Sequence, residues 1–336
     1  MCGVPAPSGV TTYRAAPTDL GFEVVSLRDD IHVLHARSTF WPAPGNILVI
    51  EDEQGIALLD CSFGTEQARD GVAEALATIG LDIAAVHTVL VTHPHLDHAG
   101  GIGLLPEHVR VLGPALLGTQ VADARATAEL IFPTAARELA PEREHLELVE
   151  HFRTDCGVAR APVAVNTVEH GDVLKLGRTR WEVVSTPGHE DGMFSYFEPE
   201  HGILFCSDIL ASKGTAIPWY APGGGGTGSY LAGLDRLALL EINTGVRGHG
   251  DLIFGAASVS ESVADTAHRI RRRTTTLREV LATGPRSFAD LEQHIYDQRV
   301  YDVIPWAASV LATHLLEGIE DGTVRREGDL FMAVGA

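Results

Sequence analysis

Lysine is nearly missing from this chain: Lys175 and Lys213 are the only two, so its basic charge is almost all arginine. Lys plus Arg number 25 against 45 Asp plus Glu, a formal net charge of −20 at pH 7. A surface that negative repels phosphate backbones and anionic lipid, which argues against a general nucleic-acid or membrane-surface binder. Cysteine is also sparse. Cys2, Cys61, Cys156 and Cys206 form no C-x-x-C pair, so neither a disulfide framework nor a cysteine zinc cluster is indicated. No stretch reaches the ~18 apolar residues needed to cross a bilayer. Met1–Leu20 shows no basic region followed by an apolar run, so no signal peptide is read and a cytoplasmic, membrane-free protein is expected.

What is present suits a globular protein. Apolar residues make up 45% and charged residues 21% of 336, enough for a large core and for about two domains. Residues 1–20 read as an irregular arm rich in Pro, Gly and Thr. Strands are predicted at Phe22–Leu27, Ile31–Ala36, Asn46–Glu51, Ile56–Asp60 and Val86–Val91, with a helix over Thr65–Ile79 ending at Gly80. Residues 117–157 read as a helical insertion interrupted by Pro133 and Pro141. Strand hairpins resume with Asp172–Leu176, Arg180–Ser185, Met193–Phe197 and Ile203–Ser207, and Tyr230–Leu240 is an amphipathic helix. Residues 260–336 form a second unit: helices over Val263–Leu281, Ser287–Tyr296 and Pro305–Asp321, then a small hairpin. Three helices and a two-stranded wing describe a winged-helix domain.

The chemistry concentrates in Thr92-His93-Pro94-His95-Leu96-Asp97-His98, directly after an apolar strand. Imidazole and carboxylate are preferred ligands of zinc and neighbouring divalent ions. Crowding four of them into one loop is costly for any other purpose, because polar groups packed together desolvate one another. A solvated histidine-rich turn is the plain alternative. His189 in Ser185-Thr186-Pro187-Gly188-His189, Asp208 in Phe205-Cys206-Ser207-Asp208, and His249 in Arg247-Gly248-His249-Gly250 add further ligand types, mostly at strand ends.

These blocks resemble the metallo-beta-lactamase superfamily over roughly residues 22–255. The resemblance implies an α+β fold, an αββα sandwich covering 21–259, and a di-metal hydrolase. It implies that His93, His95 and His189 hold one divalent ion, that Asp97, His98 and His249 hold the other, and that Asp208 bridges them. Zn²⁺ is the expected metal, with Fe or Mn as alternatives, and Asp97 and Asp208 are the expected catalytic carboxylates. Arg247 stands where a proline is more usual, and Cys61 where a threonine or serine is common. The tail is similar to the beta-lactamase-like protein 2 group, in which a winged helix follows the hydrolase domain.

A metal pair makes hydroxide available near neutral pH and holds developing charge, so hydrolysis is the leading chemistry. The expected substrate is a small-molecule or carrier-bound ester, thioester or lactone. Leu130, Ile131, Phe132, Leu139 and Leu146 are expected to form an apolar lid, and Phe132, Lys213, Trp219 and Tyr220 to line the mouth of the site. Ala211 stands where the superfamily's lactonases carry a tyrosine, which weakens that assignment. A single-strand endoribonuclease or other phosphodiesterase is the alternative, as is iron-dependent oxidation on the same ligands. Nucleic acid is disfavoured even for the second unit, where nine arginines face twelve carboxylates from Glu261 onward. The apolar face of Trp306, Leu311, Leu315 and Leu316 must be buried somewhere, and a homodimer is one way to cover it.

Overall fold

The computed structural model describes residues 20–38, 43–131, 134–139, 150, 152–159, 162–210, 217–220, 226–295 and 307–335. The expected arm (1–19), Phe132, Leu146, Lys213 and Trp306 lie outside them.

Two sheets carry the N-terminal part. The first has seven described strands in sequence order: β1 (Phe22–Arg28), β2 (Ile31–Ala36), β3 (Ile47–Asp52), β4 (Gly55–Leu59), β5 (Val86–Leu90), β6 (Arg110–Gly113) and β7 (Asn166–Thr167). The first four form an antiparallel meander, and from β4 onward neighbours run parallel. The second sheet is ordered β13-β12-β11-β10-β9-β8, from β8 (Val173–Leu176), β9 (Thr179–Ser185), β10 (Phe194–Glu198), β11 (Ile203–Ser207), β12 (Thr244–Arg247) and β13 (Ile253–Phe254). Only its β11–β12 pair is parallel.

The alternation of side chains along each strand explains the layering. Ile31 and Val33 of β2, Leu48 and Ile50 of β3, and Ala57 and Leu59 of β4 pack against Trp181, Val183, Tyr196 and Phe205 of the second sheet. Their neighbours Leu34, Ile47, Val49, Ile56 and Leu58 point the other way, onto Val72, Ala75 and Leu76 of helix α1 (Glu66–Thr78). Leu204 and Cys206 of β11 likewise face outward, onto helices α6 (Thr227–Leu237) and α7 (Ala256–Ala282). Covered on both faces, Ile47–Ile50 of β3, Ile56–Leu59 of β4 and Ile203–Cys206 of β11 are apolar without interruption, which is why their text reads as hydrophobic runs. The result is helix, sheet, sheet, helix. Helix α1 begins where the Thr65 hydroxyl accepts from Ala68 N and stops before Gly80, whose φ of +79° few other residues adopt.

After β5 the chain runs through the short helices α2 (Leu96–Ala99), α3 (Leu117–Gln120), α4 (Ala124–Ile131) and α5 (Thr134–Leu139). Helix α5 is no lid. Its Ala136 and Leu139 are buried against the C-terminal unit, with Leu277, Leu291, Leu311 and Leu315. That unit consists of the second half of α7, then α8 (Phe288–Ile295), α9 (Ala307–Glu320), and a three-stranded sheet ordered β14-β16-β15, with β14 at Arg286–Ser287, β15 at Val324–Glu327 and β16 at Leu330–Ala333. Strand β14 was not expected from sequence, nor were β6, β7, β12 and β13, because two to four residues give too little periodicity to read.

The unit is not hung on a linker. Val259, Val263, Ala267 and Ile270 of α7 belong to the outer core of the second sheet, whereas Leu277 and Leu281 of the same helix belong to the C-terminal core. Leu311 and Leu315 are fully buried within the chain, and Ala308 and Val310 reach the core of the first sheet. The apolar face of α9 is therefore covered without a second copy. No helix among the described residues is long and apolar enough to cross a membrane.

Candidate metal centre

All of the candidate ligands sit at one rim of the sandwich. Asp60 and His93 follow the ends of the parallel strands β4 and β5 there, and Asp208 and His249 follow the ends of the parallel strands β11 and β12. His189 follows β9. At this rim three triads offer ligand atoms within 4.8 Å of one another: His93, His95 and His189; His93, His98 and Asp208; Asp97, His98 and His249. The seven residues separated by up to 156 positions in the sequence are thus one cluster, and Asp208 lies between its halves. Its carboxylate is 3.5 Å from His189 Nε2, 3.4 Å from His98 Nε2 and 3.7 Å from His249 Nε2.

Each imidazole but that of His249 is turned by a bond on its far nitrogen. His98 Nδ1 donates to Asp60 at 2.9 Å, His189 Nδ1 donates to the Ile217 carbonyl at 3.0 Å, and His95 Nε2 donates to Glu190 at 3.1 Å. Thr92 Oγ1 gives its hydrogen to Asp60 and accepts from His93 Nδ1 at 2.9 Å. The near nitrogens are left facing one another: His95 Nδ1 and His189 Nε2 are 3.1 Å apart, His98 Nε2 and His249 Nε2 3.3 Å. In the His95–His189 pair, where each ring has its proton on the far nitrogen, two lone pairs at that distance repel unless a cation lies between them. His93 Nε2 and Asp208 Oδ1 are buried and have no hydrogen-bond partner among the described residues. Buried orphans of this kind are rare, and the donor set suits a divalent ion, so the residues fit a metal centre.

The electrostatics point the same way. Burial alone would push His98 down, yet the carboxylates of Asp208, Asp97 and Asp60 hold it well above the usual imidazole range. Burial and the surrounding imidazoles push His93 well below that range, and burial with His95 beside it takes His189 down to about 3. Asp97 and Asp208 are held below the ordinary carboxylate range by His98 and His249, against the opposing effect of burial. Three carboxylates around the His98 half call for positive charge, and the His93 half offers neutral nitrogens.

Space is as tightly set as charge. A Cβ on Gly248 would stand 1.8 Å from Asp208 Oδ1, and one on Gly45 would stand 2.6 Å from His98 Cε1. Asp60 (φ +62°) and Ser207 (φ +45°) hold left-handed backbone without being glycine. Such conformations cost on the order of 1–3 kcal/mol each and gather at functional sites. Asp60 is the main site residue that sequence reasoning misses. It is fully buried and accepts from Thr92 N, Thr92 Oγ1, His98 Nδ1 and Ser207 Oγ. Its signal is an acidic residue closing an apolar strand, the same pattern that marks Asp208. Glu190, next to His189, gives no such signal.

Of the residues expected at the mouth, Trp219 is buried, with its ring 6.0 Å from that of His189 and 6.5 Å from that of His95. Tyr220 is turned elsewhere: its hydroxyl donates to Glu320 on α9. Trp219 shares a core with Ala308 and Val310 of α9, so the C-terminal unit backs the wall of the cluster.

Comparisons with known proteins agree with this geometry. The sequence profile of the metallo-beta-lactamase superfamily matches residues 41–249. A probable metallo-hydrolase, YqjP, of Bacillus subtilis (strain 168) is 23% identical over 313 residues, 90% of this chain and 96% of that protein. A hydroxyacylglutathione hydrolase of Idiomarina loihiensis is 30% identical over 130 residues, 39% of this chain and 35% of that protein. Among solved structures, a metallo-beta-lactamase family protein from Thermus thermophilus superposes with a TM-score of 0.73 at 24% identity, over 92% of this chain and 100% of its own. A beta-lactamase domain protein from Burkholderia ambifaria gives 0.72 at 19% identity, over 98% and 97%. With the profile matched across every candidate ligand, the chain belongs to the metallo-beta-lactamase superfamily of metal-dependent hydrolases.

Proposed function

We propose that the chain is a di-metal, zinc-loaded hydrolase of small-molecule or carrier-bound acyl compounds, with thioesters as the first class to test. The observation that carries the reading is the set of seven inward-facing donors, each imidazole but His249 oriented by a bond on its far nitrogen. His93, His95 and His189 would hold one ion, Asp97, His98 and His249 the other, with Asp208 shared. Bound there, divalent ions would lower the pKa of a water and polarise an acyl oxygen. Asp208 sets the spacing of the two triads. Asp97, ionised at neutral pH and 3.0 Å from His249, is placed to orient the nucleophile or take its proton. Trp219 excludes water from the His95–His189 side.

The thioester preference rests on relatives named hydroxyacylglutathione hydrolases, since an acylglutathione is a thioester. The order helix, strand, helix, helix, hairpin supports a winged-helix reading of the C-terminal unit, whose role here is to back the site. Metal quantitation on protein purified without chelator, with a panel of thioesters, lactones, phosphodiesters and β-lactams, tests the proposal. Two zincs per chain and acyl turnover are expected, and His95→Ala or Asp208→Ala should abolish turnover and lower metal content. Full activity in either variant refutes it. Iron with an optical band, or cleavage of phosphodiesters alone, replaces it with oxidation or nuclease chemistry.

A further inference from the structure

A second cavity, of about 440 Å³, lies between the start of α6, the middle of α7 and the end of α9, away from the metal cluster. Its lining is acceptor-rich. Glu317, Glu320 and Asp321 face one cation, Arg278, which lies 3.5 Å from the Asp321 carboxylate. The hydroxyl hydrogens are already committed: Thr227 Oγ1 donates to Glu317 and Thr323 Oγ1 to Asp321, each at 2.5 Å. Thr274 Oγ1 donates to the Ile270 carbonyl and so accepts from His314 Nδ1 at 3.1 Å. That pattern assigns the proton of His314 to Nδ1 and leaves Nε2 as a bare lone pair. His314 is 3% exposed, lines the cavity, and has no partner for Nε2 among the described residues. Burial, with Arg273 nearby, keeps this imidazole neutral. Leu277 and Val324 supply methylene-sized apolar walls.

Lone pairs, carboxylates and apolar walls, with one paired arginine as the only cation among the described lining residues, select a ligand that brings hydrogens and positive charge. The geometry points to a binding site for a primary alkylammonium, its ammonium toward His314 Nε2 and the acidic rim and its carbon chain along Leu277 and Val324. Neutral imidazole nitrogen and carboxylate oxygen are both acceptors for the three N–H donors of such a group. The site is independent of the hydrolase reading. It touches the same scaffold, however, because Glu317 also accepts from Thr227 N at the start of α6, and Glu320 from Tyr220 beside Trp219.

The test is calorimetric titration of the full chain with 1,4-diaminobutane, and with 1,4-butanediol as the uncharged match, at 0.15 M salt. One saturable site per chain is expected for the diamine, with affinity for the diol at least tenfold weaker. His314→Phe should weaken diamine binding at least tenfold, whereas His314→Gln, which keeps an acceptor, should retain it within threefold. Absence of a saturable site, or a site that His314→Phe leaves unchanged, overturns the proposal and shows only counterion binding to an acidic surface. Should His314→Phe fail to fold, Glu320→Gln at the rim carries the same comparison: a tenfold loss supports the site, and unchanged binding overturns it.

Discussion

Asp60 illustrates how little of a metal site is its ligands. One buried carboxylate fixes the tautomer of His98, the Thr92 hydroxyl that orients His93, and the Ser207 turn before Asp208. Asp60→Asn or Glu190→Gln should therefore weaken metal affinity by about 10- to 100-fold with the fold intact, read by chelator competition and circular dichroism. Gly248→Ala, which drives a methyl into Asp208, should lose metal although no candidate ligand is replaced. The candidate ligands were legible because imidazoles crowd into one loop, His189 and Asp208 follow apolar strands, and these blocks with His249 resemble one family's pattern. Asp60, although it closes an apolar strand, and Glu190 were not, since a lone acidic residue does not name its partners, which lie 38 and 95 residues away. His314 gives a pH prediction outside the cluster. Its folded pKa is held well below the usual 6.5, so the unfolded chain binds a proton that the folded chain does not. Stability from this group is present above the unfolded pKa and is lost as pH falls below it, with a slope of up to about 1.4 kcal/mol per pH unit. His314→Phe should flatten denaturant-derived stability between pH 7 and 5.5 by up to that slope.

Among elements, the strands that were expected lie close to their expected bounds because two-sided burial is written locally, whereas the short β6, β7, β12 and β13 were not read, and α7, expected from Val263, begins at Ala256. Helix α9 was expected over Pro305–Asp321, and its described part spans Ala307–Glu320. What it packs against was not legible, because an apolar face names no partner. The chain itself supplies the cover, through α5, α7 and the core behind Trp219. Helix α5 fails as a lid for the same reason: Ala136 and Leu139 are apolar enough for a mouth or a core, and only the folded chain distinguishes the two. Leu311→Ala should cost about 2–5 kcal/mol in urea unfolding, the range for a fully buried leucine.

For the whole molecule, the expected boundary at residues 259–260 falls inside α7, which serves two cores. Truncation after Val259 would strip Val263, Ala267 and Ile270 from the second sheet and Ala308 and Val310 from the first. The shortened chain should be aggregated on size exclusion, whereas a true appendage would leave a monomeric, metal-binding remainder. A shared helix also fixes distance in whole residues. Ile270 and Leu277 are seven apart, close to two turns, so both cores lie on nearly the same side of the rod. Inserting one alanine between them would swing everything downstream by about 100° and advance it about 1.5 Å, tearing Leu277 and Leu281 from their seats. Length drift that a loop absorbs is forbidden here, and the spacing between the two halves of the protein is a ruler cut to a single residue.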